Sequence, residues 1–155
     1  MANEQNTIEL QVVTPERHIL SEDVDSVEMP GKDGYLGILP GHAPLLTEMG
    51  IGILTYRKGG ETRSTTIMGG YAEVLPNRVI VLADAAELTD KIDTARAQAA
   101  LDKTKSNLPG ANATEADWEA ANAAIARATV RLEAASKGGS GATATAAPEL
   151  EHAKA

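Results

Sequence analysis

The pattern of this sequence changes abruptly at Ala86. Before that point, residues 7–86 consist of short apolar runs that Gly and Pro interrupt. Residues 8–12, Ile-Glu-Leu-Gln-Val, alternate apolar and polar side chains with the period of a half-buried β-strand. After Ala86 the chain is rich in Ala, Asp, Glu, Lys and Arg, most of which favour helix. This break predicts an all-β domain followed by a helical one.

The first domain, residues 1–86, is predicted to be a β-sandwich. Turn signals at residues 30–34, 58–61 and 76–77 separate the apolar runs. We count about eight to ten strands in roughly eighty residues, which is the spacing expected of a sandwich or barrel. So many short strands must form sheets that pack face to face. The fold class is therefore an N-terminal sandwich with helices behind it.

The second domain, residues 87–137, is predicted to be an antiparallel two-helix hairpin. Residues 92–107 form the first helix, which the Pro-Gly pair at 109–110 ends. Thr114 and Asp117 have the spacing of a capping box and start the second helix. Apolar residues then recur at intervals of three and four, which places them on one helix face. They are Trp118, Ala121, Ile125, Ala128 and Leu132.

The contact within this hairpin is predicted to be weak because it consists largely of alanine. Alanine lets helices approach closely but buries little area, at about 25 cal/mol per Å². We therefore expect a hairpin that can leave its docked position at low cost. Residues 138–155 are rich in Gly and Ala without apolar periodicity, and we expect a flexible tail there.

Composition argues against several classes of function. The formal net charge is -8, and no stretch of Lys and Arg is dense enough to attract nucleic acid. Cysteine is absent, so neither a disulfide nor a thiolate metal site can form. The N-terminus lacks the pattern of a secretory signal, and no apolar run approaches the roughly 20 residues that span a bilayer. We expect a cytoplasmic protein that reaches a membrane only through a partner.

Catalysis has little support in the sequence. The three histidines, at 18, 42 and 152, are far apart, and there is neither a nucleophile elbow nor a Gly-Lys-Ser or Gly-Lys-Thr phosphate loop. The carboxylates are scattered over polar helix positions, where solvation is the default. The sequence therefore supplies no positive evidence for an enzyme, and we predict that the protein requires neither a metal nor a cofactor.

Two segments resemble a known family. Residues 34–46, Gly-Tyr-Leu-Gly-Ile-Leu-Pro-Gly-His-Ala-Pro-Leu-Leu, closely resemble the signature loop of the epsilon subunit of rotary F-type ATP synthases. Residues 69–84 are similar to the end of the N-terminal domain of that family, and the resemblance extends over about residues 7–136. It implies a non-catalytic rotor subunit, held at the cytoplasmic face of a bacterial inner membrane by the synthase complex. The implied partners are the gamma subunit, the proteolipid c-ring and, for an extended hairpin, the alpha/beta head.

The resemblance also implies contact residues in the signature loop. In the family this edge of the sandwich looks toward the c-ring and the foot of the gamma subunit. The matching positions are Asp33, Tyr35 and His42. Tyr35 stands where the family often has an acidic residue, so its contact with the ring is expected to be aromatic packing against a polar loop rather than an ion pair. His42 has an alternative role as a turn residue bonded to backbone.

The helical domain resembles the family at a nucleotide-binding motif. Residues 92–97 contain Ile-Asp-x-x-Arg-Ala, similar to the ATP-binding motif of bacterial epsilon subunits. By this resemblance Asp93 and Arg96 are expected to contact the base and the ribose, and two arginines of the second helix to contact the phosphates. Guanidinium groups bind phosphate oxygens through paired hydrogen bonds. The alternative is a solvated ion-pair network. The complete predicted site is Glu87, Ile92, Asp93, Arg96, Ala97, Arg127 and Arg131.

Two functions follow as rivals. In the first, which the resemblance implies, regulatory ATP favours the folded-down hairpin, whereas the extended hairpin blocks rotation in the direction of hydrolysis. In the second, the sandwich and hairpin form a stand-alone sensor of a small molecule, with no rotor. A small hydrolase would need a cluster of perturbed acidic or His side chains, which the sequence does not display.

Overall fold

A computed structural model describes residues 6–138 of the chain. The tail predicted for residues 138–155 lies, apart from Gly138, outside the described residues. The strands are β1 (Ile8–Val13), β2 (His18–Val24), β3 (Ser26–Gly31), β4 (Gly34–Ile38), β5 (Leu45–Lys58), β6 (Glu61–Leu75), β7 (Arg78–Ala83) and β8 (Ala86–Leu88). A 3₁₀ turn (Thr89–Lys91) leads to the helices α1 (Thr94–Ser106) and α2 (Glu115–Lys137).

The eight strands form the predicted sandwich. Their hydrogen-bonded order is β2-β1-β7-β6-β5-β3-β4, with β8 paired to β6. Strand β1 pairs with β7 in parallel, and the other pairs are antiparallel. One difference from the sequence prediction is β4, which lies inside the segment 31–46 that we expected to be a loop. Its residues pair with β3, so the signature loop is partly a β-hairpin.

The two longest strands, β5 and β6, contribute to both layers of the sandwich. Their pairing skips Gly50 and Gly69, and beyond this point β7 pairs with one half of β6 while β8 pairs with the other. The next residue, Gly70, has a φ of 114°. A Cβ at Gly70 would lie 2.0 Å from the carbonyl oxygen of Leu82, so only glycine permits this close approach of β6 to β7.

The core lies between the layers and is built mainly from aliphatic side chains. Alternation along β1 and β7 directs one side chain in two inward. The large side chains buried completely are Ile8, Leu10, Val12, Val24, Val27, Met29, Ile38, Leu54, Ile67, Val74, Val79 and Val81.

Local interactions fix the ends of both helices. The Asp93 carboxylate accepts a hydrogen bond from the Arg96 backbone N–H at 2.9 Å, so Asp93 is the N-cap of α1. The helix therefore starts at Thr94, two residues later than the predicted start at Ile92, which is extended. The predicted capping box of α2 is confirmed: the Thr114 hydroxyl accepts from the Asp117 N–H at 3.2 Å, and the Asp117 carboxylate accepts from the Thr114 N–H at 2.9 Å. Within the described residues, neither helix is both long and apolar enough to cross a membrane.

The hairpin docks on the sandwich through α2. Helix α1 packs on α2, and α2 lies against β5, β6 and the 3₁₀ turn. Ile53 of β5 and Met68 of β6 are buried although they do not belong to the core cluster between the layers, and α2 packs on both of these strands. On the predicted apolar face of α2, Ala128 is buried but Trp118 is 41% exposed. Trp118 lies in the first turn of α2, beside the connection to α1.

Candidate functional site: a basic cleft and an exposed apolar strip

A cleft of about 410 Å³ opens where the hairpin meets the sandwich. Four separate segments line it: the β1–β2 turn, β8 with the 3₁₀ turn, the start of α1, and α2. We call it the basic cleft. Its residues are Arg17, Glu87, Lys91, Asp93, Arg96, Ala97, Ala100 and Arg131.

An ion pair between α2 and β8 forms one wall of the basic cleft. Arg131 donates to the same oxygen of Glu87, Oε1, from Nε at 3.0 Å and from Nη2 at 2.8 Å. The two side chains are 28% and 31% exposed, so water screens the pair only in part. Arg131 belongs to the hairpin. Glu87, which the sequence analysis placed in the second domain, instead belongs to β8, which pairs with β6 of the sandwich. This pair is therefore a polar link between the two domains.

Buried threonines hold Glu87 in position. The hydroxyl groups of Thr65 and Thr66 donate to the Glu87 carbonyl oxygen at 2.9 and 3.3 Å, and the Glu87 N–H donates to the Thr66 hydroxyl at 3.1 Å. Both threonines are completely buried and have their polar groups satisfied in this way. These hydrogen bonds hold the backbone of Glu87 through sandwich residues alone.

The basic cleft brings together five of the seven predicted nucleotide-site residues: Glu87, Asp93, Arg96, Ala97 and Arg131. Ile92 is half-buried at the end of the 3₁₀ turn and does not line the cleft. Arg127 is also half-buried and lies outside the lining, one helical turn before Arg131.

Sequence reasoning missed Arg17, Lys91 and Ala100. Lys91 directly precedes the motif, so its position in the sequence was a usable signal. Arg17 lies more than seventy residues before Arg96, and nothing in the local sequence of the β1–β2 turn relates it to the helices. Only the docking of the hairpin brings Arg17 to the cleft.

The charge of the basic cleft is opposite to that of the chain. Four cationic side chains and two carboxylates line it, a local excess of two positive charges in a chain of formal net charge -8. Like charges brought together in this way repel unless an anion lies among them. The cleft is therefore suited to a ligand with several negative charges.

The three residues predicted to contact partners lie around the β3–β4 hairpin and the segment that follows it. Asp33 is exposed in the β3–β4 turn. Tyr35 turns back over Gly52, and its hydroxyl accepts from the Ile53 N–H at 3.1 Å. His42 is half-buried, and its Nδ1 lies 2.6 Å from the Ala43 carbonyl oxygen, which is the backbone bond named as its alternative role.

A second surface, which the sequence analysis missed, lies on the outside of the sandwich. Tyr71 of β6 and Leu82 of β7 are cross-strand neighbours, each 57% exposed, and Leu46 of β5 is 72% exposed. Val13 pairs with Leu82 and is half-buried, as is Ile80. We call these five residues the apolar strip. Exposed apolar side chains grouped in this way mark an interaction surface.

A sequence signal for the apolar strip did exist. Residues 79–83, Val-Ile-Val-Leu-Ala, are apolar on both faces of β7, unlike the alternating residues 8–12 of β1. Such a run is expected where both faces of a strand are covered. Beside the strip, Lys32 pairs with Glu48 at 2.9 Å, and this hydrogen bond, with the charge of Glu48, raises the pKa of Lys32.

Two family models match consecutive parts of the chain. Residues 7–89 match the model of the ATP synthase delta/epsilon chain, beta-sandwich domain. Residues 90–136 match the model of the ATP synthase delta/epsilon chain, long alpha-helix domain. The two models meet within the 3₁₀ turn that joins the sandwich to the hairpin.

Curated relatives and solved structures agree with these models. The chain is 48% identical over 132 residues to the ATP synthase epsilon chain of Solibacter usitatus, covering 85% of this chain and 98% of that protein. It is 48% identical over 128 residues to that of Herpetosiphon aurantiacus, covering 83% and 93%. A chain in the cryo-EM structure of the Euglena gracilis mitochondrial ATP synthase, with OSCP, F1 and c-ring, superposes with a TM-score of 0.71 at 26% identity, covering 86% and 84% of the two chains.

Proposed function

The chain belongs to the delta/epsilon-chain family of ATP synthase, and we propose that it joins the gamma shaft to the c-ring of a bacterial rotor. As an epsilon chain it is an accessory subunit of the complex and not a catalyst. The observation that carries the proposal is the pairing of a well-packed sandwich, exposing an apolar strip, with a hairpin held by few contacts. We place the protein at the cytoplasmic face of the inner membrane, bound through the complex.

The sandwich is the coupling part of this proposal. Its apolar strip supplies a surface for the gamma subunit, since Leu46, Tyr71 and Leu82 lose unfavourable contact with water when covered. Asp33, Tyr35 and His42 lie at the edge facing the c-ring. A rigid sandwich clamped at both places transmits torque without deforming, because close-packed interiors have low compressibility.

The hairpin is the regulatory part. Docked, it keeps Arg131 on Glu87 and completes the basic cleft, which binds ATP. Extended along the shaft, it reaches the alpha/beta head and blocks rotation in the direction of hydrolysis. A ligand that binds only the docked form shifts the equilibrium by its differential affinity, about 1.4 kcal/mol for each tenfold. A high concentration of ATP thus relieves the inhibition.

The coupling role is tested by binding to the gamma subunit of the same organism. Leu82→Glu places a charge in the centre of the apolar strip and is expected to weaken the complex at least about tenfold. Ser21→Glu is the matched control, because it adds the same charge at an exposed position of β2 in the same layer. If Leu82→Glu bound the gamma subunit as tightly as Ser21→Glu, the apolar strip would be ruled out as the surface that binds the gamma subunit.

The regulatory role is tested by calorimetric titration of the full chain with ATP and, separately, ADP, with and without magnesium. We expect micromolar to low millimolar affinity that is selective for ATP and is lost in Arg131→Ala. The absence of heat at millimolar ATP would contradict nucleotide regulation. Binding of ATP without any affinity for the gamma subunit would favour the stand-alone sensor instead.

A further inference from the structure

The basic cleft has cationic side chains on both sides of the domain boundary. Arg96 and Arg131 belong to the hairpin, whereas Arg17 belongs to the β1–β2 turn and Lys91 to the 3₁₀ turn. We propose that Arg17 and Lys91 bind the phosphate groups of the ligand, so that a polyphosphate bridges the sandwich to the hairpin. This inference rests on the proposed regulatory function and assigns two residues that lie outside the nucleotide motif.

The β1–β2 turn presents Arg17 in a fixed position. The Thr14 N–H donates to the Arg17 carbonyl oxygen at 2.9 Å, and the Arg17 N–H donates to the Thr14 hydroxyl at 3.3 Å. These bonds close the turn between two paired strands of the sandwich. The side chain of Arg17 therefore starts from rigid backbone, which lowers the entropic cost of ordering it on a ligand.

The charges of the basic cleft leave Arg17 available for an anion. Glu87 is engaged by Arg131, and Asp93 accepts the capping hydrogen bond of α1. In the described part of the chain, neither Arg17 nor Arg96 forms an ion pair with a carboxylate. Lys91 approaches Asp90 only at 4.0 Å between exposed side chains. Guanidinium and ammonium groups in this state suit phosphate oxygens.

Bridging explains how a ligand can control the hairpin at all. A ligand held only by hairpin residues would bind the docked and the extended forms equally and would shift nothing. Arg17 stays with the sandwich whatever the position of α1 and α2. Each contact that the ligand makes to Arg17 is therefore lost on extension, and that difference in affinity is what favours docking.

The test titrates the full chain with ATP and compares Arg17→Ala with the parent. We expect affinity about tenfold lower, since one charge-assisted contact to phosphate is removed. Lys105→Ala is the matched control, because it removes a cation exposed on α1 outside the basic cleft. Hydrogen exchange of α2 supplies a second measurement: ATP should protect α2 in the parent and much less in Arg17→Ala. Unchanged affinity and protection in Arg17→Ala would overturn the inference and leave the nucleotide site in place.

A second probe separates this inference from the nucleotide proposal. Inorganic tripolyphosphate has the charges of the ligand without base or ribose. If the chain binds tripolyphosphate through Arg17 but does not bind ATP, the bridging role of Arg17 is supported and the nucleotide proposal is refuted. A parent chain that binds neither ATP nor tripolyphosphate would refute both.

Discussion

The sandwich and the hairpin are stabilised by very different amounts of buried apolar surface. The sandwich encloses large side chains such as Leu10, Leu54 and Ile67 completely. The hairpin has only one large aliphatic side chain among its buried residues, Leu101, and the others are Ala97, Ala128 and Ala134. Burying a large aliphatic side chain contributes about 1.5–3 kcal/mol, and alanine has far less surface to bury. The large buried side chains therefore make the sandwich rigid, whereas the small ones leave the hairpin free to move.

Polar contacts partly replace the missing apolar ones in the hairpin. Its attachment to the sandwich includes the Arg131–Glu87 pair, and its second helix starts with the capping box of Thr114 and Asp117. Such interactions are directional and each is worth little in free energy. They define where the hairpin docks without holding it there irreversibly. The comparison predicts that perturbing the sandwich unfolds the protein, whereas perturbing the hairpin only releases it.

The largest effect is expected from Leu54→Ala in the core of the sandwich. Removing a fully buried leucine side chain leaves a cavity and should lower the free energy of unfolding by about 2–5 kcal/mol. Urea unfolding followed by far-ultraviolet circular dichroism measures it. Leu101→Ala is the same change in the hairpin, and there we expect mainly altered fluorescence of Trp118. Equal losses of global stability in the two variants would show that the two domains do not differ in how much their packing contributes to the stability of the fold.

A smaller effect is expected from Thr114→Ala at the start of α2. The variant loses the hydroxyl that caps the helix, at a cost of about 1 kcal/mol. Hydrogen exchange of the first turn of α2 should become faster while the strands are unchanged. Thr129→Ala, an exposed position inside the same helix, is the control and should not accelerate exchange. Slower folding or lower stability of the sandwich in Thr114→Ala would mean that the domains fold as one unit.

The effect of Arg131→Ala is expected to be comparable to, or smaller than, that of Thr114→Ala. Because both partners of the pair are about 30% exposed, we expect docking to weaken by no more than about 1 kcal/mol. A double-mutant cycle with Glu87→Ala, read by hydrogen exchange across α2, measures the coupling. Arg127→Ala serves as control, since Arg127 forms no ion pair within the described part of the chain. A larger loss in Arg127→Ala would reverse the roles we give to the two arginines.

The smallest effect is a pH dependence confined to α2. Hydrogen bonds from the backbone N–H and hydroxyl of Thr114 lower the pKa of Asp117. A depressed carboxyl pKa stabilises the fold above the ordinary value of about 3.9, and this stabilisation disappears as pH falls through the lower, folded-state pKa. Chemical shifts of the first turn of α2, followed from pH 6 downward, should report fraying below about pH 4. Asp117→Asn should lack this transition. If the transition is still present in that variant, another carboxyl group is responsible for it.

Much of the fold was predictable because its signals are local. Turn residues, alternation and the capping box each depend on neighbours within a few positions, and the sandwich and both helices followed from them. The strand β4 was missed because Gly and Pro surround it and its pairing with β3 satisfies a backbone that looks like loop. The exposure of Trp118 was missed because helical periodicity assigns a face but not how much of that face is covered.

The candidate site was predictable only in part, for the same physical reason. Asp93, Arg96 and Arg131 follow from a motif and from spacing along helices. The exclusion of Arg127 from the cleft depends on how α2 is rotated against β5 and β6, which spacing does not fix.

The sequence by itself determined the two domains, the order of most elements, both ends of α2 and the family to which the chain belongs. Only the tertiary structure decided that Arg17 lies in the same cleft as Arg131, and that Leu46, Tyr71 and Leu82 share one exposed surface. Local structure depends on interactions between near neighbours. Packing, in contrast, joins segments that are distant along the chain, and the relative orientation of docked surfaces is set by the shape of all the side chains between them.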